Sequence, residues 1–253
     1  MLHAPPLIAR DWALFLDVDG TLLDYAPHPD RVVVPAPLRG LLEQIAHALD
    51  GSLALISGRT IADVDRLFAP LDLPVAGQHG AEIRCGGRSE ILGGSVAALA
   101  AILAPVYAFA ASHQGIRVED KGLSAAIHYR GAEAKREQLA EILAAAVDRS
   151  GGGNFNLLPG HLVFDLKQRA IDKGSALLHF MSAPPFRARI PVFIGDEATD
   201  EDGFAAALSQ GGLAIRVGSD GDTAAPYALP SPTALREWLA RSAAKLAAKR
   251  SAF

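Results

Sequence analysis

Two carboxylates two residues apart, Asp17 and Asp19, close the apolar run from Trp12 to Leu16 and are followed by Gly20 and Thr21. In extended chain, side chains two apart point the same way, so both carboxyl groups would face one small volume. Like charges that close resist ionising together and call for a cation, a proton or both. A bound divalent metal, with one aspartate as nucleophile and the other as proton donor, meets that demand. A strand that ends in a polar turn explains the same residues equally well, so the pair needs support from elsewhere in the chain.

Three later stretches supply it. Ser57 and Gly58 follow the apolar run Leu53 to Ile56 and precede a helical pattern, where a hydroxyl and backbone N–H groups make a phosphate seat, although a plain Ser-Gly turn is by itself the better explanation. Lys173 follows Asp172 and precedes the apolar run Ala176 to Leu178, which puts a cation at a helix start. The helix macrodipole opposes positive charge there, so a nearby anion explains this lysine better than helix stability does, although a solvated lysine is common at such a position because the penalty is at most about 1 kcal/mol. Asp196 follows the run Val192 to Ile194, with Asp200 one turn later if a helix begins there. Carboxylates clustered at a strand end are hard oxygen ligands suited to magnesium. For Glu201 and Asp202 an acidic helix N-terminus is the better explanation.

Those residues must be held by strands and helices, and the chain alternates accordingly. Trp12 to Leu16, Ser52 to Ile56, Leu73 to Ala76, Val192 to Ile194 and Ala214 to Val217 read as short buried strands. Apolar residues at helical spacing predict helices over roughly 36–49, after Thr60, after Asp172, and over 233–250. Thr60 with Asp63 resembles a capping box, and Gly86-Gly87 marks a hairpin between 81–85 and 88–92. Lys245, Lys249 and Arg250 suit the C-terminus of the last helix. Ligands in such sheets sit beyond the carboxyl ends of the strands. The texture changes near Gly93-Gly94. A helix over 95–112, strands 116–119 and 124–129, a helix over 132–149, Gly151 to Gly153, and a strand pair at 154–158 and 161–167 predict an antiparallel α+β insertion. The expected organisation is therefore an α/β core of parallel strands, residues 1–93 and 169–253, carrying an inserted α+β domain, residues 94–168.

Composition excludes several other classes. With 253 residues, 50% hydrophobic and 21% charged, the chain is an ordinary globular sequence. A net charge of −4 gives no argument for nucleic acid, and no run is long enough to span a bilayer. One cysteine, Cys85, excludes an internal disulfide and fits a reducing compartment. Without a signal-peptide pattern, a soluble cytoplasmic protein, taken as a monomer, is expected.

The ordered set Asp-x-Asp-Gly-Thr, Ser, Lys, Gly-Asp-x-x-x-Asp resembles the haloacid dehalogenase superfamily of phosphotransferases. The insertion is similar to the larger, sheet-containing C2-type cap on their Rossmann-like core. A narrower resemblance is to trehalose-6-phosphate phosphatases. It rests on Val118 to Ser124, His128-Tyr129-Arg130, Pro27-His28-Pro29-Asp30, Leu55 to Arg59, Ala76 to Glu82 and Gly195 to Asp200. The chain departs from that family at Asp165, where Glu is usual, and at Gln168, where Pro is common.

The resemblance implies hydrolysis of trehalose 6-phosphate, the last step of trehalose biosynthesis, through an aspartyl-phosphate. Asp17 would be the nucleophile and Asp19 the acid and base. Mg2+ would be held by Asp17, Asp196 and the Asp19 carbonyl, with Asp200 in the same metal set or orienting its waters or Lys173. Thr21, Ser57, Gly58 and Lys173 would hold the phosphoryl oxygens. Glu119, Lys121, Asp165 and Lys167 would read the sugar from the cap, and His79 and Gly80 would line the core side. His128 and Arg130 fit a structural role equally well. Closure of the cap would exclude water from the first step and readmit it for the second. Sucrose-phosphate phosphatase, mannosyl-3-phosphoglycerate phosphatase and phosphomutase activities remain alternatives.

Overall fold

The computed structural model describes residues 3–26, 31–150, 154–160, 162–218 and 221–248. The stretch Pro27-His28-Pro29-Asp30, the glycines 151–153, and Lys249 and Arg250 lie outside the described residues. The chain divides into two compact units, Met1–Glu90 with Asp172–Phe253, and Ile91–Ile171. No helix of the described residues is long and apolar enough to cross a membrane.

The chain starts with β1 (Trp12–Leu16), α1 (Ala36–Ala48), β2 (Leu53–Ile56), α2 (Ile61–Phe68), β3 (Val75–Gly77), β4 (Glu82–Cys85) and β5 (Arg88–Ile91). The second unit contributes α3 (Val96–Ala111), β6 (Arg117–Asp120), β7 (Ala125–His128), α4 (Arg136–Arg149), β8 (Phe155–Gly160) and β9 (Val163–Gln168). The chain then returns through α5 (Lys173–Met181), β10 (Ile190–Gly195), α6 (Glu201–Ser209), β11 (Leu213–Val217), β12 (Tyr227–Leu229) and α7 (Pro232–Ala248).

The first unit is built on a sheet ordered β12-β11-β10-β1-β2-β3-β4-β5. From β12 to β3 every pairing is parallel, and β4 runs antiparallel to β3. All five residues of β1 are buried, as a central strand covered on both faces requires. Leu14 and Leu16 join one cluster with Leu42 and Ile45 of α1, Val64 and Phe68 of α2, and Trp238 and Leu239 of α7. Phe15 points the other way and meets Phe180 of α5 and Phe186, at ring-centroid distances of 6.0 and 5.4 Å. On the same face Phe193 of β10 meets Phe204 of α6 edge-on at 5.8 Å. Each such fully buried side chain contributes about 1.5–3 kcal/mol, which makes the sheet a rigid platform for whatever follows its strands.

Register then sets where those continuations emerge. Leu16 lies level with Leu55 of β2 and with Ile194 of β10. The residues following β1, β2 and β10 therefore leave the sheet at one edge. The chain runs from β1 to β2 on one side and reaches β10 on the other, so β1 stands at the switch point where α/β sheets bind ligands.

The second unit is an antiparallel sheet, ordered β6-β7-β9-β8, with two helices. Ala125, Ile127, Phe155, Phe164 and Leu166 pack with Leu99, Ile102, Leu103 and Val106 of α3 and Leu139 and Leu143 of α4. Strand alternation puts the intervening residues of each strand on the opposite, polar face. Glu119 pairs with Ala126, and Ala126 with Asp165, so Glu119 and Asp165 share that face, with His128 and Lys167 each two residues along their strands.

Three local features differ from the sequence reading. β12 is an unexpected three-residue strand, bounded by Pro226 and Pro230 and paired to β11. A 3₁₀ turn, Glu133–Lys135, precedes α4 where a helix from 132 is expected. Thr60 caps α2 by accepting from the Asp63 N–H at 3.1 Å, but its hydroxyl donates to the Asp63 carboxylate at 2.7 Å, so the pair is not a full capping box. The acidic first turn of α6 does carry Glu201 and Asp202.

Candidate active site

The ends of β1, β2 and β10, and the start of α5, bring Asp17, Asp19, Ser57, Lys173, Asp196 and Asp200 to one edge of the sheet. At its centre the buried Lys173 ammonium donates to Asp17 Oδ1 and to Asp200 Oδ1, both at 2.7 Å. Its side chain is 1% exposed, and Glu197 Oε1 stands 3.9 Å away. Asp172 caps α5, its carboxylate accepting from the Ser175 N–H at 2.7 Å. Lys173 is thereby fixed as the first residue of the helix, where the dipole disfavours a cation and two carboxylates offset it. Burial, the largest influence, pulls the Lys173 ammonium down, and Asp17 and Asp200 overcome it, so the group is held protonated.

Two glycines allow this packing. A Cβ on Gly195, the last residue of β10, would fall on the Asp200 carboxylate. A Cβ on Gly174 would lie 2.5 Å from the Asp202 carbonyl oxygen and force α5 away from α6. Asp200, 0% exposed, has its second oxygen occupied by the N–H groups of Asp196 and Glu197, at 2.9 and 3.0 Å. Both its oxygens are thus taken by chain donors, and its part in this geometry is to hold Lys173 and the turn after β10.

Asp196 accepts from the Thr21 hydroxyl at 2.7 Å and from the Tyr25 hydroxyl at 2.8 Å. Burial raises its carboxyl to about 6, Asp200 and Glu197 push the same way, and the two hydroxyl bonds oppose them. Among the described residues, Asp17 Oδ2 is buried without a hydrogen-bond partner. Burial pushes the Asp17 carboxyl well up, Lys173 opposes, and Asp200, Asp196 and Glu197 reinforce burial. Ligand oxygens of Asp17, Asp196 and Asp200 all lie within 4.8 Å of one another. Ionised together beside one ammonium, these three carboxylates would leave two negative charges uncompensated. A hard divalent cation fits that deficit.

Asp19 lies apart from this cluster in its bonding. Its two oxygens accept from Arg59 Nε and Nη2 at 2.6 and 2.7 Å, a bidentate fork. The Ser57 hydroxyl, 1% exposed, accepts from the Arg59 N–H at 3.1 Å. Gly58 lies against the His79 ring. His79 itself has φ of +60°, with its N–H bonded to the Ser57 carbonyl at 2.9 Å. Gly80 closes on the Asp172 carbonyl, tying this turn to the start of α5.

Arg59 and Tyr25 are absent from the functional residues expected from sequence. An arginine two residues beyond the strand-end serine was a usable signal, because a cation there faces the Asp17–Asp19 edge. Tyr25 carries no such signal, since its partner is 171 residues away.

On the polar face of the second unit, Glu119 shares a hydrogen bond with His128 Nε2 at 3.0 Å. Lys121 Nζ and Arg117 Nη2 stand 4.0 and 3.8 Å from its oxygens. The His128 bond is the main cause holding the Glu119 carboxyl down at about 2, burial opposes it, and Lys121 adds to it. Asp165 sits across Ala126 from Glu119 and opposite Leu158.

A family model described as trehalose-phosphatase matches residues 15–233. A probable trehalose-phosphate phosphatase of Sinorhizobium fredii is 38% identical over 227 residues, 89% of this chain and 85% of that one. The trehalose-6-phosphate phosphatase of Escherichia coli is 37% identical over 250 residues, 98% of this chain and 93% of that one. In fold, the C-terminal domain of a C. albicans trehalose-6-phosphate phosphatase matches with a TM-score of 0.81 at 17% identity, over 97% of this chain and 99% of that one. The strand-end carboxylates and the two units therefore occur in a chain that belongs, over nearly its whole length, to the trehalose-phosphatase family within the haloacid dehalogenase superfamily.

Proposed function

We propose that this enzyme hydrolyses trehalose 6-phosphate to trehalose and phosphate through an aspartyl-phosphate on Asp17, as the last step of trehalose synthesis. The observation that carries the reading is Asp17 Oδ2, buried and without a partner among the described residues while Lys173 holds the other oxygen of the same carboxylate. A nucleophile needs one oxygen anchored and one with a free lone pair.

Asp17 Oδ2 forms a bond to phosphorus as the bond to the sugar oxygen breaks. Asp19 gives that oxygen a proton, and then takes one from the water that cleaves the acyl phosphate. Lys173, Ser57, Gly58 and Thr21 hold the phosphoryl oxygens, Ser57 with its backbone pinned by β3 and the 78–80 turn. Magnesium fits as the divalent ion, and the side chains of Asp17 and Asp196 and the carbonyl of Asp19 would hold it. When bound it supplies positive charge against the phosphoryl oxygens. Asp200 orients Lys173. Glu119, Lys121 and Asp165 read the sugar hydroxyls, His79 and Gly80 shape the turn beside Ser57, and the protein works as a cytoplasmic monomer.

Phosphate release from trehalose 6-phosphate, sucrose 6-phosphate, mannosyl-3-phosphoglycerate and glucose 6-phosphate, each with Mg2+ and with a chelator, tests this. The expected result is Mg2+-dependent release with trehalose 6-phosphate preferred. Preference for another member of the panel overturns the substrate, and release unaffected by chelator overturns the metal.

A further inference from the structure

The bidentate fork on Asp19 is the strongest feature of the site that the proposed chemistry does not use. Arg59 is fixed at both ends of its backbone. Its N–H donates to Ser57 Oγ at 3.1 Å, and its carbonyl accepts from the Gln78 N–H at 2.7 Å. The next residue, Thr60, is the cap of α2. The Ile61 N–H of that helix's first turn donates to Glu82 Oε1 at 2.8 Å. A guanidinium carried on so constrained a turn is preorganised, and it meets both oxygens of Asp19 at 2.6 and 2.7 Å. The pair is partly buried, with side chains 13% and 28% exposed, so solvent screens it only in part.

We propose that Arg59 is a positioning residue for proton transfer by Asp19, a role that rests on the phosphatase reading above. As the Asp17 Oδ2–P bond forms and the P–O bond to the sugar breaks, the bonding pair goes to the leaving oxygen. The Asp19 proton moves to that oxygen, and the charge it leaves behind develops on the carboxylate facing Arg59. A cation aimed at charge that grows in the transition state accelerates the step more than it tightens substrate binding. The same fork holds the carboxylate plane when Asp19 takes a proton from water in the second step.

The test is a double-mutant cycle on the sugar phosphate that the wild type hydrolyses fastest. Arg59→Ala should lower kcat about 100-fold, within the range of a general acid–base contribution, with KM changed less than about threefold. Arg59→Lys, which keeps the charge and loses the fork, should fall between the two. In an Asp19→Asn background, the same Arg59→Ala change should cost less than about threefold, because the group it positions is already disabled. A full Arg59→Ala loss persisting in the Asp19→Asn background overturns the proposal, as does an effect confined to KM. Should Arg59→Ala lower the melting temperature so far that it cannot be assayed, the cycle is run with Arg59→Lys, whose effect must likewise vanish beside Asp19→Asn. A wild type that releases no phosphate from any sugar phosphate refutes the phosphatase reading itself, a result distinct from an additive cycle.

Discussion

The charges at the strand ends and those on the polar face of the second sheet are held in opposite ways. Lys173 bonds Asp17 and Asp200 at separations of 156 and 27 residues, and Asp196 takes hydroxyls from residues 175 and 171 positions away. Glu119 instead finds His128, Lys121 and Arg117, all within nine residues on one hairpin and its flank. A cluster tied across distant segments exists only when the whole core is folded, and a change in any member disturbs the others. A set built on one hairpin can be altered residue by residue without touching the core. That contrast suits chemistry at the first and recognition at the second, and it can be broken experimentally.

The largest expected effect is at Asp17. Replacing it with Asn should lower kcat by more than about 10⁴-fold, read by phosphate release, with an unchanged circular dichroism spectrum. Turnover near the wild-type rate would remove the nucleophile assignment. Lys173→Met comes next, because it leaves two buried carboxylates facing each other. Urea unfolding should show a loss of about 3–5 kcal/mol, whereas Lys121→Met on the hairpin should cost less than about 1 kcal/mol. Equal losses at the two lysines would erase the distinction between the regions.

A smaller effect is expected for recognition. Glu119→Gln and Asp165→Asn should each lower kcat/KM for the sugar phosphate about 10–100-fold, the usual worth of a hydrogen bond from a charged group, while the metal-binding isotherm stays unchanged. The smallest concerns pH. The folded Glu119 carboxyl lies at about 2 against its ordinary 4.5, with the His128 bond as the main cause. A depressed carboxyl contributes stability that is present above its unfolded value and lost as pH falls through the folded one. The stability gap between wild type and Glu119→Gln, less than about 1 kcal/mol after screening, should therefore be full above pH 4.5 and close as pH falls towards 2. A gap that widened on acidification would contradict this.

The same contrast explains what could be read from the chain. Asp17, Ser57 and Asp196 were legible because each directly follows a buried run, and parallel register brings such ends together. Lys173 was legible as a cation in a place where helix electrostatics disfavours one. The bonds themselves were not legible: Arg59 to Asp19 and Tyr25 to Asp196 depend on the reach of side chains across 40 and 171 residues. β12 was missed for a different reason, since three residues between prolines carry no periodicity and become a strand only because β11 offers an edge. The polar face of the second sheet was legible only through the resemblance that implied Glu119, Lys121 and Asp165, while the His128 bond needed the hairpin register.

The most direct measurement is to acid-quench turnover of trehalose 6-phosphate bearing radiolabelled phosphate, reduce the protein with borohydride, and map the peptides. The expected result is labelled protein before reduction, conversion of residue 17 alone to homoserine after it, and neither in Asp17→Asn. Phosphate release with no modification at residue 17, or label carried by another side chain, would contradict it.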